Sequence, residues 1–395
     1  MSFRRKYALE VKALPGQCKE GAPRCKGSEV GRGVVGGSQR CTGGTNLNVS
    51  ARRKLRALFG GVEYSGPVVC LHTWGTYPFK LLGKERLWER STGAPLADVY
   101  EEFWRMFPCD WLHVCEAISP PQGEQRDGHR IAGRRGFGSS QLSLEAVNAW
   151  VQTNADGLTV SIEEALAMGL YDHVKILFER IGEGVMITPN QEAPGSHMPM
   201  LSWEDEMLLI QERPEIVERF VRLDSRRFLS RVHAARKCGA DCYIFSEGYG
   251  GAFDLTSPEQ FRRVFLRAKQ EFYGAVRDAG VHAIVYGLGN VLPYMDWINQ
   301  IGIDGLMIEE SKKGFVLDPA EIRMRLDPRV VLFGNLPSRL LLEGTPREIE
   351  AEVHRQARAR EHGKFVFMNG SPICPGTPPA NIHAFLECAR NGNRS

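Results

Sequence analysis

The chain has 395 residues, 50 Lys+Arg against 47 Asp+Glu, a formal charge of +3 and a hydrophobic share of 43%. That balance excludes a collagen-like or wholly disordered chain, and a nucleic-acid binder that acts through bulk charge. The charge is unevenly placed: residues 1–50 hold nine Lys/Arg and three Glu, so they contribute +6 and the other 345 residues sum to −3.

Residues 1–48 read as a basic, Gly-rich extension outside the folded body. The first fifty residues hold nine Gly and few large apolar side chains, so little burial offsets the entropy of ordering them. Disorder, or a start assigned too far upstream, is the expectation. The extension lacks the interleaved aromatics that base stacking needs. No apolar run resembles a signal-peptide core or approaches the roughly 18 residues of a membrane span. The ten cysteines fall at 18, 25, 41, 70, 109, 115, 238, 242, 374 and 388 without a CxxC pair. They are expected to be free thiols in a reducing compartment, the cytoplasm.

From residue 49 to 395 a single domain is expected, in which helix and strand signals alternate. Ser50 caps a helix over 51–59 that Gly60-Gly61 stops. Pro67–His72 reads as a first strand, Pro95–Phe107 as a helix and Trp111–Cys115 as a second strand. Residues 119–156, with Pro120-Pro121 and several Gly, are too long for an ordinary connection and read as a surface excursion. Glu163–Ile181 has the spacing of one amphipathic helix, followed by strand Gly184–Pro189, helix Pro214–Ala235 and strand Cys242–Phe245. Ser257-Pro258 opens the next helix. Strands then follow at 283–286, 305–308, 330–333 and 365–368, with helices at 292–301, 318–326, 346–362 and from about Pro379. Eight apolar strands, most followed by helices, predict a (β/α)8 TIM-type barrel. A doubly wound open sheet is the alternative, but Gly287-Leu288-Gly289 lacks the third glycine of the phosphate-binding signature.

Gly334-Asn335-Leu336, the stretch Leu341–Ile349 containing Gly344-Thr345-Pro346, and Thr377-Pro378-Pro379-Ala380-Asn381 together resemble the uroporphyrinogen decarboxylase superfamily. Ser257-Pro258-Glu259-Gln260-Phe261 is similar to another stretch of it, and weaker similarity reaches back to about residue 51. The resemblance implies a TIM-type barrel and two activities. One is decarboxylation of porphyrinogens. The other is zinc-dependent methyl transfer between corrinoid proteins and thiols such as coenzyme M.

The departures from the family pattern are specific. Decarboxylases of the family carry two arginines after the first strand to pair with substrate carboxylates. This chain has His72-Thr73-Trp74-Gly75-Thr76-Tyr77 there. The nearest carboxylate to the family's pyrrole-binding aspartate is Glu116, and its late Gly-His-Gly stands as Gly370-Ser371-Pro372. The methyltransferases need His-x-Cys and a late Cys as zinc ligands. The corresponding positions are Tyr286, Leu288 and Ser371, with Cys374 nearby.

Active sites of this fold lie at the C-terminal strand ends. The candidates there are His72, Glu116, Asn190, Glu247, Tyr286, Glu309, Glu310, Asn335, Asn369 and Ser371. His72, Glu247, Tyr286 and Glu309 are the expected catalytic residues, with His72, Glu247 and Glu309 as the ligand set if a zinc ion is held. Trp74, Tyr77, Glu116, His197, Asn335 and Ser371 are expected to contact substrate, with Trp203 as a second aromatic wall. Each has a plainer reading as packing or turn chemistry, Asn335 above all. Glu309 and Glu310 point to opposite faces of a strand, so only one can reach the interior. Glu247 precedes a Gly-rich loop, 248–251, able to close over a ligand.

The acidic strand ends suit a polyanionic porphyrinogen poorly. The first expectation is therefore methyl transfer from a small methylated or methoxylated molecule to a corrinoid protein, as the resemblance implies. The second is decarboxylation, with Arg126, Arg130, Arg134 or Arg135 folding over the mouth. The third is a ligand-binding barrel without catalysis, which a closed apolar mouth would favour. The reading includes neither nucleic acid nor membrane as partner, and it admits a homodimer.

Overall fold

The fold was examined in a computed structural model of the chain. It describes residues 50–62, 66–90, 92–116, 144–153, 160–196, 198, 201, 203–247, 253, 255–312 and 314–391. The leader 1–48, most of the 119–156 excursion with its four arginines, His197 and the 248–251 loop lie outside the described residues.

Seven strands form one parallel sheet in chain order: β1 (Trp111–Cys115), β2 (Met186–Glu192), β3 (Cys242–Glu247), β4 (His282–Gly287), β5 (Gly305–Ile308), β6 (Val331–Phe333) and β7 (Phe365–Val366). Nearly every strand residue is buried, as a parallel sheet covered by its own crossover helices requires. The sheet curls strongly. Trp111 on β1 stacks on Phe333 of β6 with centroids 5.0 Å apart, although four strands separate them along the sheet.

The expected first strand, Pro67–His72, does not form a ladder. It makes one parallel bridge, Val69 to Phe367 beyond β7, in which Cys70 N–H donates to the Phe367 carbonyl at 2.9 Å. On its other edge Asp110 N–H donates to the Val69 carbonyl at 2.8 Å, next to β1. Two donors are missing for a regular strand. Pro67 has no N–H, and Val69 N–H is taken by the Asp110 carboxylate at 2.7 Å. The described sheet therefore has seven strands and a bridged segment where eight strands were expected.

The helices follow local chemistry closely. Ser50 Oγ caps Ala51–Phe59 through Arg53 N–H, and Ser257 forms a capping box with Gln260. The helix expected over 163–181 is two helices, Ile162–Ala167 and Asp172–Ile181. Gly169 between them sits at φ +66°, where a Cβ would lie 2.8 Å from Asp172 Oδ2, so the chain turns there and the apolar spacing continues in a second helix. Five further helices, 77–81, 85–90, 144–153, 203–212 and 338–343, were not expected. Among the described residues no helix is long and apolar enough to cross a membrane.

The first helix is fastened to the N-terminal ends of the strands. Asp241, just before β3, receives Arg52 Nε at 2.7 Å and Arg56 Nη2 at 2.9 Å. Phe59 stacks on His282 at the start of β4, with centroids 4.6 Å apart. Burial alone would raise the Asp241 carboxyl, but hydrogen bonds from the two guanidinium groups outweigh it and hold it below its ordinary value.

Candidate functional site

Strand alternation sends successive side chains to opposite faces, and in a curled parallel sheet one face is the interior. At the C-terminal ends the interior face carries His113 on β1, Asn190 on β2, Ser246 on β3, Tyr286 on β4 and Glu309 just after β5. Ser246 and Tyr286 are direct register partners. His72, at the end of the bridged segment, completes the ring. Its imidazole stacks on His113 (centroids 5.3 Å) and meets the edge of Tyr286 at 4.7 Å. All six side chains are buried.

Several polar atoms in this ring lack a hydrogen-bond partner: His72 Nδ1, His113 Nε2, Asn190 Oδ1 and Ser246 Oγ. Buried polar atoms are ordinarily paired, so their concentration at one end of the sheet marks the site. His113 Nδ1 accepts the Thr73 backbone N–H at 3.3 Å. A ring nitrogen that accepts cannot carry the proton, so the neutral imidazole carries it on Nε2. Burial pushes the His113 imidazole down to about 4, against an opposing effect of the neighbouring Asn190 side chain. His72 is also driven down, by burial first and then by His113 and Lys312. Both imidazoles are neutral at physiological pH.

Glu309 is the one carboxylate of the ring, and its charge is compensated. Its Oε2 accepts Gly289 N–H at 2.8 Å, and its Oε1 pairs with Lys312 Nζ at 2.6 Å. Lys312, which the sequence reading passed over, also donates to Ser371 Oγ at 3.4 Å. Tyr286 donates its hydroxyl to the Gly370 carbonyl at 2.9 Å. Burial, with Glu309 second, raises the phenol and keeps it protonated. Gly370 lies so close to the neighbouring loop that a Cβ would meet Glu310 N at 2.5 Å and Asn335 Cα at 3.0 Å. Asn369 braces His72 from behind: its Oδ1 accepts His72 N–H at 2.9 Å, and its Nδ2 donates to the His72 carbonyl at 3.0 Å.

Other expected site residues are engaged by protein partners. Glu247 is turned to the helix layer, where Lys269 Nζ meets its two oxygens at 2.8 and 2.6 Å and Tyr273 donates at 2.9 Å. Each partner of that ion pair is 1% exposed, so Glu247 is a closed structural pair and not part of the ring. Glu116 likewise points outward, held by Arg231 at 2.9 Å, Tyr243 at 2.7 Å and Tyr171. Tyr77 packs edge-on to Phe103 and donates to the Thr377 carbonyl at 2.9 Å. Asn335 does turn chemistry, donating to the carbonyls of Glu309 at 3.0 Å and Leu317 at 2.8 Å. Glu310 accepts Ser338 N–H, so it is a loop acceptor and not only a solvated end charge. Ser371 contributes its carbonyl to Asn369 and Ser338. Trp74 is half-buried, and the side chain of Trp203 is outside the described residues.

The zinc set His72, Glu247 and Glu309 is not assembled. Among the described residues no three His, Cys, Asp or Glu side chains come together as ligands for a metal ion. Glu247 is consumed by Lys269, and Glu309 by Lys312 and Gly289. The residues present do not fit a family-type zinc centre. His113, Thr73, Ser246 and Lys312 are the site residues that sequence reasoning missed. The available signal was a histidine inside the apolar run Trp111–Cys115, one alternation from an inward Trp.

A curled parallel α/β sheet with a polar ring at its C-terminal strand ends defines an enzyme-type α/β fold with one interior site. The chain belongs to the uroporphyrinogen decarboxylase (URO-D) family, whose model matches residues 153–392. It is 32% identical over 111 residues to uroporphyrinogen decarboxylase of Rhodospirillum rubrum, covering 28% of this chain and 30% of that protein. It is 22% identical over 237 residues to the methylcobamide:CoM methyltransferase MtbA of Methanosarcina acetivorans, covering 58% of this chain and 66% of that protein. The matches therefore span under a third of the first relative's length and just under two thirds of the second's. A methyltransferase from Methanosarcina mazei shares the fold, with a TM-score of 0.66 and 19% identity, covering 88% of this chain and all of that one.

Proposed function

We propose that this chain is a methyl-transfer enzyme of the URO-D family that takes a small, uncharged methylated or methoxylated donor into the ring of His72, His113, Asn190, Ser246, Tyr286 and Glu309. In this reading the bridged Pro67–His72 segment is the eighth position of a TIM-type barrel, since it is hydrogen-bonded toward β7 on one edge and toward β1 on the other.

The observation that carries the reading is the charge state of the ring. Its histidines are neutral, its phenol is protonated and its carboxylate is paired with Lys312. An uncharged ligand loses little on entering such a site, whereas a ligand bearing eight carboxylates would be desolvated without guanidinium partners. Arg231, half-buried on the helix Pro214–Lys237, pairs with Glu116 on the outer side of β1. The relatives that carry methyltransferase names support the choice of chemistry. A corrinoid on a partner protein supplies the methyl acceptor. The chain's own residues orient the donor: Asn369 holds the backbone of His72, Thr73 fixes the His113 imidazole, and the bond between the methyl carbon and its oxygen breaks as the methyl group moves to the acceptor. That oxygen leaves with a proton taken from solvent. The polar ring speaks against a barrel without chemistry.

The test is anaerobic incubation with reduced cobalamin and a panel of methanol and methoxyarenes, with the demethylated product measured by chromatography. Product that depends on both protein and reduced cobalamin supports the reading. Carbon dioxide release from uroporphyrinogen, with no demethylation of any donor, overturns it in favour of decarboxylation.

A further inference from the structure

Resting on the reading just given, we infer that the substrate presents a free hydroxyl, separate from the methylated group, to a subsite made by His113 Nε2–H, Asn190 Oδ1 and Ser246 Oγ. The argument is one of donors and acceptors. The Thr73 backbone N–H occupies His113 Nδ1 at 3.3 Å, which fixes Nε2 as a donor. Asn190, on the adjacent strand and two residues further toward the mouth than the His113 register partner Thr188, offers a carbonyl oxygen. Ser246 on β3 supplies a hydroxyl that can turn either way.

None of these three atoms has a partner, and their residues are only 2%, 4% and 1% exposed. His113 and Asn190 are close enough for their side chains to interact, yet neither His113 Nε2 nor Asn190 Oδ1 has a partner at hydrogen-bond geometry. A group that accepts from His113 and donates to Asn190 satisfies both at once. A hydroxyl does this, whereas an ether oxygen can only accept and a carboxylate would add an uncompensated charge. Thr73 is then a positioning residue, because its N–H sets which imidazole nitrogen reads the substrate. The ligand class is an uncharged alcohol or phenol that also carries the methyl group.

The experiment is equilibrium binding by titration calorimetry at pH 7.5, with the full-length protein and two probes of nearly equal size, 2-methoxyphenol and methoxybenzene. The expected result is binding of 2-methoxyphenol about tenfold or more tighter, because methoxybenzene leaves a buried acceptor unpaired. In Asn190→Leu that preference collapses to within about twofold. Circular dichroism confirms that the variant is folded, and Ser246→Ala, which keeps His113 and Asn190, retains most of the preference. Equal affinity of the two probes for the wild-type protein overturns the subsite, as does absence of binding by both. The outcome is separable from that of the methyl-transfer reading, since cobalamin-dependent demethylation of a donor without a hydroxyl would uphold the reaction and refute the subsite.

Discussion

Lys269→Met is the sharpest probe of the difference between the interior ring and the helix layer. Lys269 and Glu247 are both 1% exposed. The ammonium donates to both carboxylate oxygens, at 2.8 and 2.6 Å. The substitution keeps the aliphatic stem and removes the charge, leaving Glu247 with the single Tyr273 hydrogen bond at 2.9 Å. Two charge-assisted bonds at about 1.5–3 kcal/mol each place the loss near 4 kcal/mol, inside the roughly 3–5 kcal/mol typical for stranding one partner of a buried pair. With a urea dependence on the order of 3 kcal/mol per molar, the unfolding midpoint falls by about 1 M. Glu247→Gln/Lys269→Met removes the stranded charge and keeps an acceptor for Tyr273. The double variant therefore recovers more than half of the loss, a coupling of about 2 kcal/mol or more. The assay is urea unfolding followed by tryptophan fluorescence on the wild type, both single variants and the double. A Lys269→Met loss below about 1 kcal/mol, or strictly additive single losses, refutes the placement of the pair. So would a Glu247→Gln protein that keeps wild-type stability and loses turnover, because that result would put the carboxylate at the substrate.

Other expectations follow from the same geometry. Asp241→Asn should cost about 3 kcal/mol, because Arg52 is left buried beside a neutral amide; Arg56, half-exposed, adds little. A urea midpoint unchanged from wild type would show that the first helix is not fastened there. His173 Nε2–H donates to the Cys115 carbonyl at 2.8 Å, and burial lowers the imidazole from 6.5 to about 4. Between those values the unfolded chain binds a proton that the folded chain refuses, so stability falls as pH drops through the window, by about 3 kcal/mol for this one group. His173→Gln should flatten the stability slope between pH 6.5 and 4.5, and an unchanged slope would contradict the neutral, buried imidazole.

Most of the fold is legible because most strands contain a short apolar run and several helices open with a side-chain cap or a proline, as at Ser50, Pro95, Ser257-Pro258 and Thr345-Pro346. Trp111–Cys115 and Gly305–Ile308 need no tertiary information to be read as strands. Pro67–His72 is different: whether it pairs as a ladder or a bridge depends on Asp110, 41 residues along the chain from Val69, taking the Val69 N–H. The split at Gly169 was open to local reasoning, since a glycine inside a helix costs about 1 kcal/mol relative to alanine.

The site was harder because being at a strand end and facing the interior are separate properties. Alternation decides the second. Trp111 and His113 share the inner face, so Glu116, an odd number of residues beyond His113, belongs to the outer one, where Arg231 and two tyrosines hold it. On β3 the same parity puts Ser246 inside and Glu247 with Lys269 outside. Collecting every strand-end carboxylate gathers charges from both faces into one imagined acidic mouth. Parity separates them, and the interior that remains carries one compensated carboxylate among neutral groups. In the methyl-transfer proposal the poor fit of a polyanion has a different cause: not repulsion by converging glutamates but the lack of any inward guanidinium among the ring residues to replace the water a carboxylate would lose.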